Sequence, residues 1–151
     1  MKNKNKKIIF ICTGNTCRSP MAEIILKKKL KDAGIVGIRV SSAGLSAQTG
    51  AKISENSAAA LKKLGYRVGA FKSKMATPNM LKRCELVICM TTEHKRYLKG
   101  FERVYSISEV TGLADISDPY GYDLDRYIIT SRQIEQACEI ILKELIKVKG
   151  D

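Results

Sequence analysis

Cys12 and Arg18 are the side chains best suited to chemistry, five small or polar residues apart in the run Cys12-Thr13-Gly14-Asn15-Thr16-Cys17-Arg18-Ser19-Pro20. A thiol is a strong nucleophile as the thiolate, and a nearby guanidinium and a helix N-terminus both favour that form. Arg18 supplies a planar, permanently charged fork that matches two oxygens of a phosphoryl group. The backbone N–H groups of Thr13, Gly14, Asn15, Thr16 and Cys17 can converge on an anion in front of such a helix. The run reads as a phosphate cradle with a nucleophile at its base.

Thiolate attack on a phosphate ester also needs an acid to protonate the leaving group. Asp115, Asp118, Asp123 and Asp125 all fall in the one long stretch with little periodicity, residues 108–127. A loop of that length in a compact domain is usually functional. Asp118 is the best candidate, because Pro119 stiffens the backbone just after the carboxyl and holds it in a turn. The plainer alternative is that Asp118 only begins a turn.

These residues need a scaffold, and the hydrophobic pattern supplies one. Lys7-Ile8-Ile9-Phe10-Ile11 is short and continuous, as expected of a strand buried on both faces. Ser19-Pro20 reads as a helix opening, with Ser19 as N-cap and proline at the first helical position, and the helix runs to Ala33. Further strands are expected at 36–42, 85–90 and 103–107. Helices are expected from a Ser54 cap to Leu64, over 77–83, over 93–98, and from Thr130 to Val148. The last carries a Thr130/Gln133 capping box and an apolar stripe. Strands alternating with helices imply one α/β domain over residues 1–151: a doubly wound, Rossmann-like, four-stranded parallel sheet with helices on both faces. In such sheets ligands sit at the carboxyl ends of strands, where the cradle falls.

Composition narrows the function classes. Lys and Arg exceed Asp and Glu by 27 to 15, a net charge of +12. The excess is mostly lysine on outward helix positions such as Lys27, Lys28, Lys62, Lys63 and Lys143, without interleaved aromatics. That reads as a solvated surface rather than a nucleic-acid groove, although it can draw acidic phosphoproteins. No apolar run approaches the roughly 18 residues of a membrane span. The basic start, Met1 to Lys7, precedes too short an apolar stretch for a signal peptide. Five cysteines at irregular spacing suggest no disulfide framework. The chain is expected to be cytoplasmic and monomeric, with no membrane or nucleic-acid partner. A P-loop is also excluded, since the glycines of Gly44–Lys52 are too far apart and alanine precedes the lysine.

The combination of Cys12-x5-Arg18-Ser19-Pro20 after an N-terminal strand with Asp118-Pro119-Tyr120 before a C-terminal helix resembles the low-molecular-weight protein tyrosine phosphatases. Met21-Ala22-Glu23, Ser42-Ala43 and Val87-Ile88-Cys89-Met90 extend the resemblance over essentially the whole chain. It implies a phosphocysteine mechanism on phosphorylated proteins, without metal or organic cofactor. Cys12 would attack phosphorus, Arg18 and the loop amides would bind the oxygens, and Asp118 would serve as acid and then base. Ser19 and Ser42 would support loop and thiolate, and Asn15 would hold the loop's strained shape. One departure stands out: the histidine the family commonly places a few residues after the glycine matching Gly65 is missing, so Asn15 needs another partner, with Ser73 as candidate.

Within that family, threonine at position 16 resembles the protein arginine phosphatases, whereas phosphotyrosine enzymes usually carry a bulky aliphatic there. Thr91, Gly121 and Gln48 point the same way, while Tyr120 suits either substrate. Phosphoarginine is therefore the favoured substrate group and phosphotyrosine the alternative. A thioredoxin-coupled arsenate reductase is a lesser alternative, since Cys84 and Cys89 read as buried core. Cys17 is either a loop-packing residue or the partner of Cys12 in a protective disulfide. His94, the only histidine, is expected on the surface.

Overall fold

In the computed structural model, which describes residues 6–150, β1 (Lys6–Cys12) lies inside a four-stranded sheet. Ile8, Ile9, Phe10 and Ile11 are all within 2% of full burial, so both faces of this strand are covered. The strand order is β2 (Ile38–Gly44), β1, β3 (Leu86–Cys89), β4 (Val104–Ser106), and every pairing is parallel. The chain leaves β1 for β2 on one side and returns to β3 on the other. This reversal opens a crevice at the carboxyl ends of the strands, where α/β folds bind ligands. The basic start of the chain falls largely in residues 1–5, outside the described residues.

Two apolar layers hold the sheet. On one face Ile8 and Phe10 pack with Met21 and Ile25 of α1 (Arg18–Asp32) and with Ile134 and Ile141 of α6 (Leu124–Gly150). On the other, Ile9, Ile11, Val87 and Cys89 meet Leu81 of α3 (Pro78–Lys82) and Leu98, which closes α4 (Thr92–Tyr97). Each fully buried Ile or Phe contributes on the order of 2 kcal/mol through the apolar surface removed from water. The doubly wound α/β architecture expected from the sequence is the one observed.

Four local expectations differ from the structure. Helix α1 begins at Arg18, and Ser19 is not its cap: the N-cap position is Cys17, which makes no side-chain cap bond. The Ser19 hydroxyl is occupied elsewhere, as described below. The Thr130/Gln133 capping box is absent, because α6 already starts at Leu124 and Thr130 sits inside it, donating its hydroxyl to the Arg126 carbonyl at 2.9 Å. Strand β2 runs two residues later than its apolar pattern suggested, because Ala43 and Gly44 pair with Ile11 and Cys12. The stretch after β4 is less irregular than expected, since Ile107–Thr111 forms a helix, α5, closed by a true Ser106/Glu109 capping box. By contrast, Ser54 caps α2 (Glu55–Lys63) as its residue type predicts, accepting from the Ser57 N–H.

Candidate active site

The loop from Cys12 to Arg18 joins the end of β1 to the start of α1, and its backbone is pinned from outside. Leu45 and Ser46 donate their N–H groups to the carbonyls of Cys12 and Thr13, each at 2.9 Å, and Ser54 donates to the Thr16 carbonyl at 2.9 Å. Among the described residues none accepts a hydrogen bond from the backbone N–H groups of Thr13 to Cys17. Carbonyls turned outward and tied leave amides turned inward, the arrangement that binds an anion. Gly44 makes this close approach possible, because a Cβ there would stand 2.5 Å from the Thr13 carbonyl oxygen.

A chain of side-chain hydrogen bonds runs behind the loop. Asn15 has φ = 56°, a left-handed conformation that asparagine tolerates better than most residues, and it is completely buried. Its amide nitrogen donates to Ser19 Oγ at 2.9 Å and to Ser42 Oγ at 3.0 Å, while its Oδ1 accepts from the Lys74 N–H at 2.9 Å. Ser42 in turn donates to Glu23 at 2.6 Å, and Glu23 pairs with Lys27 at 2.7 Å. The Ser19 hydroxyl, receiving a hydrogen from Asn15, keeps its own for Cys12 Sγ at 2.9 Å. The bond fixes where the sulfur sits at the start of the loop. The expected partner Ser73 does not reach Asn15: it accepts from the Ala51 N–H and donates to the Gln48 carbonyl. The backbone of its neighbour, Lys74, satisfies the asparagine instead.

Arg18 is 5% exposed, and its Nη1 donates to the Ile116 carbonyl at 2.9 Å. Its Nη2 lies 3.7 Å from Asp118 Oδ2, so one residue joins the cradle to the loop that carries the acid candidate. Asp118 is half exposed and accepts from the Tyr120 N–H at 3.1 Å, the turn that Pro119 was expected to shape. Tyr120 stands 78% exposed at the rim. Arg18, at the far end of the loop that Cys12 opens, thus stands beside Asp118.

His94 is the residue that sequence reasoning placed wrongly. It is 5% exposed, not a surface side chain, and its Nε2 lies 3.0 Å from Thr13 Oγ1. Its Nδ1 is buried and has no hydrogen-bond partner among the described residues. Burial, reinforced by the nearby Arg18, lowers its pKa to about 4, so the ring is neutral at physiological pH. Its position on α4 resembles that of a solvated helix residue in the sequence, and only the fold turns that helix face toward the loop. Glu23 was also missed as a partner for Ser42, although its spacing of four from Ser19 puts both on one face of α1.

The remaining cysteines are core groups. Cys84, Cys89 and Cys138 are buried, and burial pushes the Cys89 thiol up to about 12 and raises Cys84. Cys89 ends β3 and Cys84 lies just before it, both packed in the core as the sequence suggested, not on the mobile segment that an arsenate reductase needs. Cys17 packs with Ala60 and Tyr127, its Sγ 3.6 Å from Ser54 Oγ and 3.8 Å from the Tyr127 hydroxyl. This gives the loop-packing alternative a defined set of partners.

Residues 7–150 match the profile of a family described as low molecular weight phosphotyrosine protein phosphatase. The chain is 33% identical over 147 residues to a protein-arginine-phosphatase of Bacillus subtilis, covering 93% of this chain and 97% of the relative. It is 35% identical over 133 residues to the low molecular weight protein-tyrosine-phosphatase PtpB of Staphylococcus haemolyticus, covering 85% and 91%. A solved structure of an arginine phosphatase variant with a phosphorylated active site serine superimposes with a TM-score of 0.86 at 32% identity, over 93% of this chain and 96% of that one. No helix among the described residues is long and apolar enough to cross a membrane.

Proposed function

Because the chain belongs to the low molecular weight phosphotyrosine protein phosphatase family, we propose that it hydrolyses phosphorylated side chains of proteins with Cys12 as nucleophile, phosphoarginine being the preferred group. The observation that carries this reading is the Arg18–Asp118 approach of 3.7 Å, which unites an anion-binding loop with an acid from a hundred residues away. In the first step the Cys12 thiolate attacks phosphorus in line while Arg18 and the loop amides take the equatorial oxygens. The phosphorus–nitrogen bond breaks, and Asp118 gives its proton to the departing guanidine nitrogen. In the second step Asp118 takes a proton from water, and the resulting hydroxide displaces phosphate from sulfur, restoring the thiolate. The phosphorylated active site serine of the arginine phosphatase variant supports an intermediate carried on this loop position.

Phosphoarginine is preferred over phosphotyrosine because Thr16 presents a hydroxyl, not an aliphatic surface, to the leaving group. Relatives named for either substrate match the chain, and a direct comparison decides between them. Steady-state rates on paired phosphoarginine and phosphotyrosine peptides should show the larger kcat/KM for phosphoarginine, and Cys12→Ser should abolish turnover of both. Residual turnover by Cys12→Ser would remove the nucleophile assignment, and a clear phosphotyrosine preference would reverse the substrate.

A further inference from the structure

Beside Arg18 opens a cavity of about 590 Å³ whose lining includes the polar side chains of Thr13, Ser46, Thr91, Glu93 and His94. We propose that the Thr13–His94 pair is a second determinant of substrate choice, a polar wall that meets the N–H donors of a guanidinium and finds no counterpart on a phenol ring. The inference rests on the phosphoarginine reading and extends it to residues outside position 16.

The two flanks of the cradle are held by different helices. The Thr16 carbonyl is tied to Ser54 at the start of α2, whereas the Thr13 side chain is tied to His94 on α4. Thr13 is exposed and lines the cavity that Arg18 also lines, so its side chain stands beside the space a phosphoryl group on Arg18 would take. In either tautomer of His94, Thr13 Oγ1 keeps at least one lone pair after the bond to Nε2. That lone pair is aimed by a ring that cannot move freely, because His94 is packed and buried.

Charge agrees with this assignment. His94 is neutral, its pKa lowered to about 4, so the wall adds no cation to repel a guanidinium. Glu93, exposed in the same lining, adds an anion that attracts one. A phenyl ring in the same place would strip water from Oγ1 and offer no donor in return. Sites built around such acceptors discriminate against analogues without the matching donor.

The test is the ratio of kcat/KM on phosphoarginine to that on phosphotyrosine peptides for Thr13→Val, Thr13→Ser and His94→Phe. Thr13→Val keeps the shape and removes the hydroxyl, and the ratio should fall about tenfold, the loss of roughly one hydrogen bond to a charged donor. Thr13→Ser keeps the hydroxyl and should retain the wild-type ratio within about twofold. His94→Phe keeps a ring of similar size but frees Thr13, and should lower the ratio in the same direction. Should that variant fail to fold, the two Thr13 variants decide alone. An unchanged ratio in Thr13→Val, with wild-type enzyme active on phosphoarginine, overturns this inference and leaves the substrate reading standing. Wild-type enzyme without phosphoarginine turnover removes both.

Discussion

Lys74 donates its backbone N–H to the side-chain oxygen of Asn15 at 2.9 Å, across 59 residues of sequence. This bond closes the set around a buried amide that also donates to Ser19 and Ser42. The left-handed backbone of Asn15 and the orientation of the Ser19 hydroxyl toward Cys12 therefore share one support.

Replacing Asn15 separates the two contributions. Asn15→Gly accepts φ = 56° without steric cost but loses every side-chain bond, and should destabilise the protein by about 1–3 kcal/mol while lowering kcat. Asn15→Ala adds the cost of a left-handed alanine, about 1 kcal/mol more. Urea unfolding of the two variants should rank them in that order, and equal stabilities would argue against strain at this position.

Gly44→Ala should be poorly tolerated although alanine is the smallest change available. The new Cβ would lie 2.5 Å from the Thr13 carbonyl oxygen, 2.8 Å from Ala47 Cβ and 3.0 Å from the Asn15 nitrogen, and none of these is a flexible chain end. The loop must shift, so kcat should fall together with the melting temperature. Wild-type kinetics in this variant would show that the cradle tolerates displacement.

Acid stability should report on His94. Its native pKa of about 4 lies below the ordinary 6.5, so between these values the unfolded chain binds more protons than the folded one. Stability contributed by the neutral ring is complete above pH 6.5 and is lost as pH falls toward 4. Glu109, Asp115 and Glu139, whose carboxyls are also held below their ordinary values, add to the decline as pH approaches the carboxylate range. Urea midpoints measured from pH 7 to pH 4.5 should decline in the wild type and decline less in His94→Gln. Parallel curves would assign the acid sensitivity to other groups.

Thr16→Ile replaces a hydroxyl by an aliphatic surface that packs against an aromatic ring. The ratio of phosphotyrosine to phosphoarginine activity should rise in this variant, by about tenfold if one pocket contact changes character. An unchanged ratio, measured on matched peptides, would move the determinant away from position 16.

Local sequence was sufficient wherever a short-range rule dominates. The continuous apolar run of residues 7–11 marked a doubly buried strand, Ser54 marked a helix cap, and Asp118-Pro119 marked a rigid turn. The Cys12 thiol and the Arg18 guanidinium stood in one loop because five intervening residues span a single turn between strand and helix.

What local pattern could not supply are contacts between distant segments. His94 looks like any polar residue on a short helix until α4 packs beside the loop and buries it against Thr13, 81 positions earlier. Ser19 looks like an N-cap, but a buried amide and a thiol compete for its hydroxyl more strongly than the helix end does. Lys74 serves through its backbone, which carries no sequence signal at all. The sequence by itself determined the α/β order of the chain and set a thiol and a guanidinium in one loop, because those depend on residue type and local periodicity. Only the tertiary structure decided which polar groups satisfy one another behind the cradle, because burial forces pairings that no spacing rule encodes.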